Sequence, residues 1–100
     1  MLDIITLGNT TVDALCYIAN TPYGVTDLNR YEMILLQEMM TQPDRIFTRE
    51  MLLQKMELDW EGLSNRVVDI RISRLRLKMR RIKSNLRIVA KRGVGYCMEI

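Results

Sequence analysis

Between positions 68 and 82 the apolar residues Val68, Ile72, Leu75, Met79 and Ile82 recur at steps of four, three, four and three. An α-helix lines such residues up on one face, and that face must be buried. The opposite side of the same helix carries Arg66, Asp69, Ser73, Arg76 and Arg80, with Ile70 and Leu77 pointing away from the core among them. Arg71, Arg74 and Lys78 flank the stripe, within reach of a nucleic-acid backbone. The chain therefore has to pack one side of this helix and leave a cationic side in solvent. An apolar side chain amid arginines suits the DNA major groove, where it can meet a thymine methyl while arginine reads guanine or holds phosphate. The alternative for Ile70 is packing against residues 57–64.

The charge of the whole chain follows the same division. Residues 1–64 carry four basic side chains against ten acidic ones, and residues 65–100 carry eleven basic against two acidic. Such an asymmetry points to a polyanion-facing surface at the C-terminal end. A solvated basic helix that binds nothing is the plainer alternative. With 100 residues the chain is a single domain, 1–100, with one modest core. No histidine is present, which removes the commonest general base and makes a catalytic triad or a zinc site a poor fit. There is no nucleophile–base pair, and Gly93-Val94-Gly95 is too short for a nucleotide-binding loop. The expectation is a protein that is not an enzyme and needs no cofactor, metal or small-molecule substrate. Cys16 and Cys97 form no CxxC pair and read as two buried thiols in a reduced, cytoplasmic protein, with a disulfide as the alternative. No apolar run is long enough for a bilayer, so no membrane partner is expected.

Residues 1–27 read as short N-terminal strands, with Thr10, Thr11, Val12, Cys16, Tyr17 and Ile18 as strand formers and turns at Gly8-Asn9 and Pro22-Tyr23-Gly24. Residues 28–82 form a three-helix core. Asn29 and Glu32 make a capping-box pair at the start of the first helix, and Gln42-Pro43-Asp44 ends it. The second helix starts near Thr48 and runs to about residue 56. Residues 57–64 are a loop, and Ser64 or Asn65 caps the third helix, which runs to about Ile82. Residues 86–98 form a hairpin, Leu86–Lys91 and Gly95–Met98 around Arg92-Gly93. The fold class is α+β: a winged helix-turn-helix with a small N-terminal antiparallel sheet, three helices and a C-terminal β-hairpin wing.

From Leu28 to Tyr96 the chain resembles the DNA-binding effector domain of OmpR/PhoB-type response regulators of bacterial two-component systems. Four pieces carry the resemblance, in order and with matching gaps. They are Glu32-x-x-Leu35-Leu36; Pro43-Asp44-Arg45-Ile46-Phe47-Thr48-Arg49-Glu50-x-Leu52-Leu53; Arg66-x-Val68-Asp69-Ile70-x-Ile72-x-Arg74-Leu75-Arg76-x-Lys78-Met79; and Arg92-Gly93-Val94-Gly95-Tyr96.

The resemblance implies a recognition helix in the major groove and a wing in the adjacent minor groove. It implies Arg74 as the main base reader, Ile70 as an apolar base contact, and Arg66, Arg71 and Arg76 at phosphates. Ser73 lies on the same face, Lys91 and Arg92 on the wing, and Tyr96 near the DNA backbone. Arg92 would enter a narrow minor groove of enhanced negative potential. The family's habit implies binding to direct repeats as a head-to-tail homodimer. It also implies RNA polymerase as a partner through the acidic loop with Glu57, Asp59, Trp60 and Glu61. For Trp60 the alternative is cover for the core edge.

Four positions depart from the family's pattern. Glu57 stands where tryptophan is usual, Ala90-Lys91 where a threonine and an apolar residue precede the wing arginine, and Arg71 where histidine is frequent. Family members also carry a phosphoacceptor receiver, so the chain is expected to be either the effector part of a longer regulator or a single-domain one. A protein-interaction module on the same fold, without specific DNA binding, is the second functional reading.

Overall fold

The computed structural model describes residues 3–56 and 66–100. Strands β1 (Ile4–Leu7), β2 (Thr10–Asp13), β3 (Ile18–Thr21) and β4 (Gly24–Asp27) form an antiparallel meander in the order β1-β2-β3-β4. Alternation sets its two faces: Ile5, Val12 and Ala19 stand opposite one another across the ladder and are all buried. Cys16 and Tyr17 are not in a strand, contrary to expectation. They lie in the turn between β2 and β3, where Tyr17 has φ +55° and Asp13 accepts from the backbone N–H of Leu15 and Cys16. Cys16 is accordingly exposed rather than buried, whereas Cys97 is buried, and both thiols are free.

Helix α1 (Arg30–Thr41) begins with the anticipated capping box. The Asn29 side chain accepts from the Glu32 backbone N–H, and the Glu32 carboxylate accepts from the Asn29 N–H, both at 2.8 Å. Its face of Met33, Leu35, Leu36, Met39 and Met40 is buried. Thr48 caps α2 (Arg49–Lys55), accepting from Met51 N–H at 3.1 Å. Helix α3 (Arg66–Arg81) buries Val68, Ile72, Leu75 and Met79, and Ile82 just beyond it is buried too. The expected caps Ser64 and Asn65, and the loop before them, lie outside the described residues.

The end of α3 is a Schellman-type stop. Lys83 takes φ +54° and its N–H donates to Arg80 O at 3.1 Å, and Ser84 N–H donates to Met79 O at 3.0 Å. The chain then enters β6 (Arg87–Lys91) and returns as β7 (Gly95–Glu99). A two-residue strand absent from the sequence reading, β5 (Phe47–Thr48), pairs with the other edge of β7 and gives a second sheet ordered β5-β7-β6. This pairing is what Gly95 permits: a Cβ there would lie 1.9 Å from Phe47 O. The three helices, the N-terminal sheet and the wing match the winged-helix expectation.

Candidate nucleic-acid interface

Helix α3 is long enough to present four turns outside the core. Arg66, Ile70, Ser73, Arg74 and Leu77 are exposed, and Arg66, Asp69, Ile70, Ser73 and Arg74 line one shallow depression. Ile70 is 48% exposed. Apolar and cationic groups thus share one surface, with a hydroxyl between them, a mixture able to meet base edges and phosphates together. At the wing tip Arg92 is exposed beside Gly93, whose φ of +74° makes the tight turn closed by Val94 N–H to Lys91 O at 2.9 Å. Lys91 is partly held back, with its Nζ 3.2 Å from Glu99 Oε2. That contact raises the Lys91 pKa and lowers that of Glu99.

Other expected contact residues turn inward. Tyr96 is buried, and its hydroxyl donates to Asp69 Oδ1 at 2.5 Å. Arg76 donates Nε and Nη2 to Ile88 O at 2.9 and 2.6 Å. Arg71 is half-buried with its guanidinium 4.8 Å from the centre of the Tyr31 ring. Lys78 is committed to Glu32 and to Asp27 O, at 2.7 and 2.8 Å, and not to the outer face. The polymerase-facing candidates Glu57, Asp59, Trp60 and Glu61 lie outside the described residues.

The acid inside this cationic helix is the feature that sequence reading undervalued. Asp69 accepts from Arg49 Nε at 2.9 Å as well as from Tyr96. Burial opposes its ionisation, but the hydrogen bonds from Tyr96 and Arg49 and the charges of Arg49 and Arg66 prevail and hold the carboxyl below its usual range. Burial, and then the Asp69 hydrogen bond, push the Tyr96 hydroxyl up. The one acid among the eight charged residues of this arginine-rich helix was the available signal that a cation outside the helix had to answer it. Among the described residues no cluster of potential metal ligands occurs, and no helix is long and apolar enough to cross a membrane.

Known proteins share both the sequence pattern and the fold. The heme response regulator HssR of Staphylococcus aureus (strain bovine RF122 / ET3-1) is 35% identical over 95 residues, which are 94% of this chain and 42% of that protein. The chain thus spans about two-fifths of the length of the curated relatives it matches. The DNA-binding domain of Klebsiella pneumoniae RstA, solved in complex with the RstA box, superposes with a TM-score of 0.77 at 28% identity, covering 96% of each chain. The AdeR DNA-binding domain, solved in complex with an intercistronic region, has the same fold at a TM-score of 0.83 and 24% identity, covering 94% of this chain and 96% of that one. The family model for "Transcriptional regulatory protein, C terminal" matches residues 24–98, from the last strand of the first sheet to the end of the wing. The chain therefore belongs to the OmpR/PhoB-type C-terminal effector domains, a family of DNA-binding transcription regulators and not of enzymes.

Proposed function

We propose that this chain binds double-stranded DNA sequence-specifically as the effector domain of a transcription regulator, with α3 in the major groove and the wing in the adjacent minor groove. The observation that carries the reading is the exposed face of α3, where Arg66, Ile70, Ser73 and Arg74 lie together. The exposed wing arginine, Arg92, supports the minor-groove half of the reading. The DNA-bound state of the RstA domain, at 28% identity, supports the same partner. Arg74 and Ile70 read bases, Arg66 and Ser73 hold backbone, Arg71 reaches the backbone only by leaving the Tyr31 ring, and Lys91 and Arg92 serve the wing. Arg76 and Tyr96 act from behind the surface. The 100 residues act as one domain, in the cytoplasm and on the nucleoid when bound. They occupy direct repeats as a head-to-tail pair, and residues 57–64 with Trp60 face RNA polymerase.

Selection from a random duplex library, followed by anisotropy titration at several salt concentrations, tests this. A direct repeat with half-sites about one helical turn apart is expected. With five to eight phosphates neutralised, log K falls against log salt with a slope of roughly −5 to −7. Arg74→Ala costs about 1–3 kcal/mol of binding and relaxes preference at one position. Absence of binding to any selected duplex at low salt overturns the reading. Equal binding to selected and scrambled duplexes removes its sequence-specific part.

A further inference from the structure

Helix α3 grips both strands of the wing through polar side chains on its inner flank. Asp69 Oδ1 accepts from the Tyr96 hydroxyl on β7 at 2.5 Å. Seven residues later Arg76 donates twice to the carbonyl of Ile88 on β6, at 2.9 and 2.6 Å. Seven residues are nearly two full turns, so both anchors leave the helix on the same side, about 10 Å apart along its axis. Between them the Tyr96 ring lies beside two guanidinium groups, Arg49 at 5.6 Å and Arg76 at 5.5 Å from its centre. Arg49 also donates to the same Asp69 oxygen that Tyr96 uses, at 2.9 Å, which ties α2 into the joint.

An apolar contact would hold the wing against the helix as firmly while leaving it free to slide by fractions of an ångström. Hydrogen bonds are directional and short-ranged, and three of them spread over two strands remove sliding and pivoting together. The wing tip with Arg92 stands only four residues beyond Ile88 and four before Tyr96, so a displacement at the joint is carried to it directly.

We propose that Tyr96 and Arg76 are positioning residues that set the distance of Arg92 from α3, and so the number of base pairs between the major-groove and minor-groove elements of the operator. The inference rests on the DNA-binding reading above. Its chemistry is indexing and not contact: both side chains are spent on protein partners.

The test uses the selected duplex and a series in which the A·T-rich flank is moved by one or two base pairs relative to the major-groove element. For the unaltered chain a one-base-pair shift costs about tenfold in affinity, the loss of one good groove contact. Tyr96→Phe removes only the hydroxyl. It is expected to flatten that dependence to less than about threefold, while single base changes in the major-groove element cost as much as before. If Tyr96→Phe does not fold, Arg76→Gln, which keeps the Asp69–Tyr96 bond, is read in the same way. A variant that melts earlier yet keeps the full spacing preference shows a joint that only stabilises, and overturns the proposal. So does an unaltered chain that binds its selected duplex specifically with no spacing preference. Failure of the unaltered chain to bind any duplex specifically overturns the functional reading itself, and this inference with it.

Discussion

The two flanks of α3 are each pinned by an ion pair, and the two pairs are built differently. Toward α1, Lys78 Nζ lies 2.7 Å from Glu32 Oε1, and the Glu32 side chain is only 2% exposed. Toward α2 and the wing, Arg49 Nε lies 2.9 Å from Asp69 Oδ1, with side chains 35% and 39% exposed. A carboxylate sealed from water depends on its cation, because the one backbone N–H of Asn29 that it also accepts from does not by itself replace the lost hydration. A half-exposed one turns to solvent when its partner leaves. The lesson is that the sealed joint lies away from the exposed cationic face. The joint beside that face is wet and directional, better suited to setting geometry than to supplying stability.

Lys78→Met is the strongest challenge to this contrast. It strands Glu32 and is expected to cost about 3 kcal/mol in urea unfolding. A loss no larger than that of Arg49→Ala would erase the distinction between the flanks. Asn29→Ala comes next, at about 1 kcal/mol, by removing half of the capping box. The Asn29 side chain holds the Glu32 backbone N–H and Lys78 holds the Glu32 carboxylate, so the two substitutions act on one residue and the double variant is expected to depart from additivity, which a double-mutant cycle measures.

Lys83→Gly is expected to stabilise the chain by about 0.5 kcal/mol. Glycine relieves the positive φ at the helix stop, and the gain is partly offset by loss of the Lys83 ammonium from the Tyr23 ring. A destabilised Lys83→Gly would mean that the ring contact outweighs the backbone strain. The wet flank supplies the smallest effect, in acid. Burial works against the Asp69 carboxylate, but its hydrogen bonds and neighbouring cations win and lower its pKa when folded. Its contribution is therefore present above the ordinary carboxylate range and is lost as pH falls below about 4 through the folded value. Asp69→Asn should flatten the acid limb of stability as pH falls below the ordinary carboxylate range. An unchanged limb would assign acid sensitivity to other carboxylates.

Helix positions were readable wherever backbone chemistry announces itself. Asn29 with Glu32, Thr48 before α2 and the spacing of Val68 through Ile82 all act locally, and the structure keeps each of them. The hairpin was readable for the same reason, through Gly93 and Gly95. Strand β5 was not, because two residues have no periodicity and exist as a strand only through β7. The direction of the cations was not readable either. Lys78, Arg76 and Arg74 are all cations, and what separates them is whether a carboxylate or a carbonyl awaits on the neighbouring element. Glu32 looked like a capping residue only; its second bond, to Lys78, spans 46 positions. Cys16 and Tyr17 were misjudged as strand because their intrinsic preference was overruled by Asp13, whose side chain holds the turn.

The turn after α3 is closed by the other end of the chain. Asn9 N–H donates to Asn85 Oδ1, Asn85 N–H donates to Asn9 Oδ1 and Asn9 Nδ2 donates to Lys83 O, at 3.1, 2.9 and 3.0 Å. Thr10 Oγ1 meets Ser84 Oγ at 2.5 Å, and the Thr21 hydroxyl donates to Ile82 O. These partners are 61 to 76 positions apart. During synthesis the first sheet must therefore wait for almost the entire chain before this seam can close. Contacts of such sequence separation slow folding, because chain-closure entropy is spent before they return any stability. The base of the wing is then among the last parts to become native, and a nascent chain halted near residue 80 would carry α3 without the brace that orients it.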